Sequence, residues 1–518
     1  MVTGGYAQAV GAYVLSTVGA LLVARVIWEL AFSPLRKFPG PLPSRFTNLW
    51  RMRTVLLGNA DAHHREWHRR YGSAVRVGPD AVMLNDPNLI KTVYTVKNAW
   101  KKTNMYRPND VVGPDGTRHP NLFNTQDDEW YDRYKRPVGG FFSLSKVLEM
   151  EHHVDESIEK YLDKLEKTFL SEKDVSDTIM MDEWLAFFAW DSNMKITYGR
   201  HYGFIEQGQD VSGLIKTSKS GVKYFGILAQ MSWLDDWLDK NPIWRIGPGF
   251  LVDALKFTIR VVGEYQKQLA DVAKGSGTAP PAGHLLERFV KTKSTHPAIV
   301  DDNQVINYTL LSVGGGGDTT AGALRAIVYY LAKNPSTYAR LSAEIDAAKL
   351  PVPVSWKAAT ALPYLDAVIR ESMRLSPAVS LMLERYVPDG GFDLPDGRFL
   401  PAGTRVGMNP AVTNRSTEIF GPDTDSFVPE RWLRRDGESE DEFTTRSKRM
   451  NDIFDFTFGA GKRICIGRNI AKLEIYKLLP SLYTLYDLKL VDAAHEWKYE
   501  NYFFIYQSDM PMILSRRK

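Results

Sequence analysis

The chain has 518 residues, a net charge of +4 at pH 7, 44% hydrophobic and 24% charged side chains. That balance supports a large folded core and excludes wholesale disorder, and no basic, aromatic-interleaved stripe points to a nucleic-acid partner. A single cysteine, Cys465, excludes an internal disulfide and any site built from several thiolates; by itself it reads as a small packing residue.

The first element is apolar. From Tyr6 to Ala24 no side chain is charged, and about 20 helical residues span a bilayer core of roughly 30 Å. A secretory signal is the competing reading, but its basic n-region is missing and the run is long for its apolar part. Arg36 and Lys37 follow the run, which favours a downstream domain on the cytoplasmic side. Pro34, Pro39, Pro41 and Pro43 oppose continued helix and predict a stiff, extended connector. The expected organisation is an anchor over 1–32, a proline-rich linker over 33–44 and one domain over 45–518.

Along that domain apolar residues recur mostly at helical spacing, as in 154–169, 323–331 and 363–375. Strand-like pieces are short: 73–84, and 391–410 with hairpin punctuation. The fold class is therefore mainly α with small β-sheets (α+β). His63, His64 and His68, and the pair His152–His153, lack a carboxylate-rich metal pattern and read as residues of solvated helices. The segment 278–283, TAPPAG, reads as a loop within the domain.

Residues 301–334 predict one long helix, capped by Asp301 or Asp302 and ended at Asn334-Pro335. Inside it stand Gly314 to Gly317, then Asp318 and Thr319. Four interior glycines cost on the order of 4 kcal/mol of helix stability. A bent backbone, a close approach to another group, or a loop between two helices would each account for them. No Lys-Ser/Thr follows, which makes a phosphate loop a poorer reading still. Glu371 and Arg374 share one face of an amphipathic helix further along, which alone describes a surface ion pair.

Phe458, Gly461, Arg463, Cys465 and Gly467 stand in the spacing F-x-x-G-x-R-x-C-x-G. Helical periodicity resumes directly after, so Cys465 precedes a helix N-terminus, whose positive end stabilises a thiolate. Glycines there permit tight turns and close backbone approach.

This loop resembles the heme-binding signature of the cytochrome P450 family, and the resemblance extends over essentially the whole chain after residue 33. It implies the P450 fold behind one transmembrane helix. It also implies heme b with Cys465 as axial iron ligand, Phe458 over the sulfur, and Arg463 and Arg385 on heme propionates. The segment Gly315-Gly316-Gly317-Asp318-Thr319 is similar to the family's oxygen-binding helix, with glycine where alanine is usual. The implied roles are a hydrogen bond from Thr319 to bound oxygen and proton relay by Asp318. Glu371, Arg374 and Arg431 match the family's Glu-x-x-Arg network, which supports the heme loop. Tyr131 and Lys135 fit a helix that binds the cofactor, with Lys135 on heme; the usual Trp or His is absent and Trp130 lies one place away.

No dinucleotide fingerprint is present, so electrons come from outside. The resemblance implies NADPH–cytochrome P450 reductase, with NADPH used indirectly, docking at the basic cluster Lys462, Arg463, Arg468 and Lys472. It implies a hydrophobic small-molecule substrate, selected by 105–128 and 224–244. Trp233, Trp237 and Trp244 in the second region suit either a channel or a membrane surface. Likeness to filamentous-fungal, pisatin-demethylase-like members implies secondary metabolism and a single-pass protein of the endoplasmic reticulum. A heme-thiolate binding or electron-transfer protein without oxygenase activity is the alternative.

Overall fold

A computed structural model describes residues 2–113, 116–172, 174–241, 243–247 and 250–517. The ends of the expected anchor and domain (Met1, Lys518) and parts of the two substrate regions (Pro114, Asp115, Pro242) lie outside the described residues.

The apolar run forms α1, Val2–Ile27, which passes through a π-helical turn, Trp28–Phe32. Residues Gly11–Phe32 have a mean hydropathy of 1.7 and are almost wholly uncovered by the rest of the protein, as a helix sheathed by lipid would be.

The proline-rich segment is not the extended spacer its composition suggests. It folds into two 3-10 turns, Pro34–Lys37 and Leu42–Arg45, and buries Leu35 and Phe38 against the domain. Proline opposes a long α-helix yet suits the first position of a short turn. The anchor of this packing is Arg76 on β1, Ala74–Gly78, a fully buried side chain. Its guanidinium donates to Glu29 Oε2 at 2.6 Å, its backbone N–H donates to Pro39 O at 2.7 Å, and its carbonyl accepts from Ser44 Oγ at 2.8 Å. Any Cβ on Gly40 would overlap the same carbonyl. α1 and its π-helical turn are thus joined to the domain through a buried ion pair.

Strands form in both stretches where alternation predicts them, 73–84 and 391–410, and others, among them 175–180, 486–490 and 511–516, lie outside both. β1 pairs antiparallel with β2, Ala81–Leu84. Arg385–Tyr386, β3, and Arg405–Gly407, β4, complete a mixed sheet of order β1-β2-β4-β3. A second sheet joins Tyr486–Leu490, Pro511–Arg516 and Val175–Met180. The segment 278–283 is a loop.

Helices make the remainder. Those that build the site are α2 (Asp128–Lys135), α3 (Met181–Tyr198), α4 (Asp302–Lys333), α5 (Pro363–Leu375) and α6 (Arg468–Leu485). Asp301 caps α4 by accepting from Gln304 N at 2.8 Å, and 32 residues make it about 48 Å long. It runs through the core with α3 packed along it. That packing explains two of its glycines. A Cβ on Gly316 would lie 2.5 Å from Asn193 Oδ1, and one on Gly317 2.7 Å from the Trp190 ring, both on α3. Gly314 and Gly315 meet no protein atom within 4 Å.

His64 and His68 turn inward rather than to solvent. His64 Nδ1 meets Asn409 Nδ2 at 3.0 Å and His68 Nδ1 faces Gly72 O at 2.8 Å, and burial pushes His64 down to about 3 and His68 to about 4. Their helix carries its polar residues on both faces, so helical spacing alone does not separate them.

Candidate active site

The cysteine loop is held by its own backbone. Cys465 N–H donates to Phe458 O at 2.8 Å, and Gly459 and Gly461 adopt φ of +73° and +62°. Gly461 is packed so closely on the Tyr94 carbonyl that no Cβ fits. Gly467, at φ −83°, needs no special conformation and its Cβ would meet no protein atom within 4 Å. Its open side belongs to the cavity wall, so the space a side chain would take is the space of a ligand.

Cys465 lies at the start of α6, and its thiol opens onto an internal cavity rather than bulk water. Burial pushes the thiol up, while the backbone N–H groups of Gly467 and Arg468 and the Arg468 charge pull the other way. A bound metal ion completes such a balance by removing the proton outright. Phe458 lines the same cavity, and Gly315, Gly316 and Thr319 of α4 face it. The Thr319 hydroxyl donates to Gly315 O at 2.8 Å, across the glycine turn.

One end of the cavity is cationic. Arg463 pairs with Asp128 of α2 at 2.6 Å and stacks 3.8 Å over the Tyr131 ring, yet its Nε and Nη1 are buried without a hydrogen-bond partner. Arg385 stands beside it, donating to Glu384 O at 2.8 Å. Lys102 is the third cation, placed by its β-bridge to Arg385 and stacked 4.0 Å over Tyr106. Burial, together with the Arg385 and Arg463 charges, holds its ammonium well below the usual lysine range. Three buried basic side chains, with two orphaned donors on Arg463, suit an anionic group with more than one carboxylate. An apolar cavity with one thiolate and such a cationic end fits iron protoporphyrin: Cys465 would hold the iron, and Arg463, Arg385 and Lys102 the propionates.

Lys135 is not on the cavity wall. Its Nζ donates to Lys462 O at 3.4 Å from behind the Tyr131 ring, which it approaches to 5.1 Å. Tyr131, one helical turn earlier, reaches the wall in its place and donates to the same carbonyl at 3.0 Å. Trp130 stacks on Tyr134 instead.

Asp318 also points elsewhere. Its Oδ1 accepts from Trp190 Nε1 at 3.1 Å, and its Oδ2 from Ser218 Oγ at 2.7 Å and Tyr506 OH at 3.0 Å. Burial raises the carboxyl, and these three donors offset that only in part. One residue along a helix is a rotation of about 100°, so Thr319 faces the cavity while Asp318 faces α3.

The Glu371 network is buried, not a surface pair. Arg374 grips both Glu371 oxygens at 2.8 Å, Arg431 Nε reaches Oε1 at 2.8 Å, and Trp432 Nε1 and Val428 N–H donate at 2.9 and 3.0 Å. Burial would raise the Glu371 carboxyl, but the Arg374 hydrogen bonds and the Arg374 and Arg431 charges outweigh it and hold it low. Arg374 also donates to Asn414 O at 3.0 Å, and the Asn414 side chain donates to Thr457 Oγ1 at 2.9 Å, beside Phe458. The network therefore reaches the cysteine loop through Asn414.

Of the substrate regions, Tyr106, Leu122 and Phe123 of the first line the cavity, whereas no described residue of 224–244 does. Trp233, Trp237 and Trp244 are more than half exposed at the surface. Sequence reading missed Lys102, Asn193, Glu474, and Phe503 and Phe504 at the tip of the hairpin Lys498–Asn501/Ile505–Ser508. An aromatic pair between two short strands is the one signal available for the last two.

Residues 38–508 match the family model for cytochrome P450. The chain is 36% identical over 98% of its length to the cytochrome P450 monooxygenase cfoH of Aspergillus candidus, of which it covers 93%. It is 34% identical over 96% of its length to cicH of Emericella nidulans, covering 97% of that chain. It is also 34% identical over 93% of its length to mpaDE of Penicillium roqueforti, where it spans about half, 55%, of the relative. The cysteine loop, the glycine turn of α4 on the same cavity and this similarity agree: the chain belongs to the cytochrome P450 family and is a heme-thiolate monooxygenase.

Proposed function

We propose that the protein inserts one atom of dioxygen into a hydrophobic intermediate of fungal secondary metabolism, at the cytoplasmic face of the endoplasmic reticulum, with electrons from NADPH–cytochrome P450 reductase. The observation that carries the reading is the shared cavity: Cys465 and Thr319 line one apolar space from α6 and α4. Heme bound there supplies oxygen activation. The chain does the remainder. Phe123, Phe142 and Phe289 exclude water. Thr319 holds a hydroxyl proton at the glycine turn, within reach of the cavity. Arg463, Arg385 and Lys102 fix the orientation of the group. Asp318, turned from the cavity, acts through the shape of α4 at Trp190 and Ser218. A binding or electron-transfer protein has no use for a hydroxyl and an apolar substrate wall beside the metal.

Membrane attachment rests on α1. The exposed Leu49, Leu56, Trp233, Trp237 and Trp244 extend an apolar rim on the domain. Among the basic residues near the loop, Arg463 is turned inward and Lys462 pairs with Asp132 at 2.7 Å. Arg468 and Lys472 therefore remain for an acidic redox partner.

The carbon-monoxide complex of the reduced protein tests the reading. The wild type gives the strongly red-shifted Soret band of thiolate ligation, and Cys465→Ser abolishes it. A band at the histidine-ligated position in the wild type would overturn the assignment. Membranes holding the protein and a reductase, supplied with candidate intermediates, then identify the product by mass.

A further inference from the structure

The glycine turn of α4 is held from behind by a residue that lies outside every motif. Asn193 on α3 is buried, and it belongs to the cavity wall together with Ser312, Gly315, Gly316 and Thr319. Its Nδ2 donates to Ser312 O at 3.3 Å and to Val313 O at 3.1 Å. Two carbonyls need a donor, so the amide nitrogen is the atom that faces them and the side chain has one orientation. Its Oδ1 then lies over the bare α-carbon of Gly316, 2.5 Å from where a Cβ would stand. Even the methyl group of an alanine at 316 would displace the amide.

The two carbonyls are rungs of the helix itself. In α4 they face the N–H groups of Gly316 and Gly317, four residues on. A side-chain donor placed on such a carbonyl draws it outward and loosens the rung. Thr319 acts in the same way one turn later, from the cavity side, through its bond to Gly315 O. The tract 312–319 is therefore gripped on two faces, by Asn193 toward α3 and by Thr319 toward the cavity. Gly314 and Gly315 have no side chains to pack, so the restraint on this turn comes from its neighbours.

We propose that Asn193 is a positioning residue for the oxygenation: it holds the 312–316 backbone of α4 against α3 and so sets where Gly315 O, and with it the Thr319 hydroxyl, stands in the cavity. It acts through α4 and not on the substrate. The proposal rests on the reading of Thr319 given above.

The C–O stretching band of the reduced, carbon-monoxide-bound holoenzyme reads the surroundings of the ligand without turnover. Thr319→Ala should shift or split the band. Asn193→Leu keeps the bulk of the side chain and removes both donated bonds, and it should displace the band while heme content and Soret position match the wild type. Because Asn193 works through Thr319, the double variant Asn193→Leu/Thr319→Ala should give the band of Thr319→Ala alone. Gly316→Ala pushes the same amide from the other side and should displace the band too, which keeps the test decisive if Asn193→Leu does not fold. Asn193→Ala/Gly316→Ala restores room without restoring the donors, so thermal stability should recover relative to Gly316→Ala while the band stays displaced. A band unmoved by Asn193→Leu, shifts of Asn193→Leu and Thr319→Ala that simply add, or a band restored in Asn193→Ala/Gly316→Ala each overturns the proposal alone. A band unmoved by Thr319→Ala overturns the reading of Thr319 and the proposal with it.

Discussion

Two buried ionic clusters flank the cysteine loop, and they close in opposite ways. Around Glu371, every oxygen and guanidinium finds a partner inside the chain: two arginines, Trp432, Val428 N–H and the carbonyls of Asn414 and Thr424. Around Arg463, three cations meet one carboxylate, Asp128, and two guanidinium nitrogens stay unpartnered. A cluster that closes on itself holds the fold. A cluster left open on one side suits a receptor for a missing charge, and in the function proposed above the heme carboxylates would supply it.

Three substitutions break or sharpen this contrast. Glu371→Ala has the largest effect: it leaves Arg374 and Arg431 buried and unpaired, a loss of about 3–5 kcal/mol, so little folded protein should accumulate in membranes. Normal yield with normal heme would reduce the network to ornament. Arg463→Ala should fold but release heme about ten- to a hundredfold faster, matching about 1.5–3 kcal/mol for a hydrogen bond to a charged group; heme transfer to apomyoglobin measures this. Equal rates in variant and wild type would remove Arg463 from the receptor. Lys102→Met should be mildest. It deletes a buried cation that has no acid partner, so folded yield stays constant while heme transfer quickens a few-fold. A fall in yield instead would place Lys102 with the closed cluster.

The sequence makes contiguous chemistry visible. The Cys465 loop is one short segment, and its spacing alone brings Phe458, Gly461, Arg463 and Gly467 to the thiol. The long helix was legible for a similar reason, since cap, period and terminator lie on one line. What lay hidden depends on rotation or on distance along the chain. Asp318 and Thr319 are neighbours in sequence but face different partners, because helical phase and the packing of α3 decide which side meets the cavity. Lys135 fits its spacing but is shadowed by Tyr131. Lys102, Glu474 and Phe503 reach the site only through the β-bridge to Arg385, the α4–α6 contact and a hairpin tip, none of which leaves a local pattern. The prolines of 33–44 state which helix is forbidden, not whether the segment packs.

The Glu29–Arg76 junction bears on how this enzyme is handled outside a membrane. Cutting the chain after residue 32 removes the carboxylate and leaves a fully buried guanidinium without its counter-ion, a deficit of about 3–5 kcal/mol. Solubility gained by such a cut would come with a loosened β1 edge. Starting the chain at Trp28 keeps Glu29, and replacing Arg76 with methionine removes the orphan charge. Either shortened enzyme should outlast one that simply begins at Ser33.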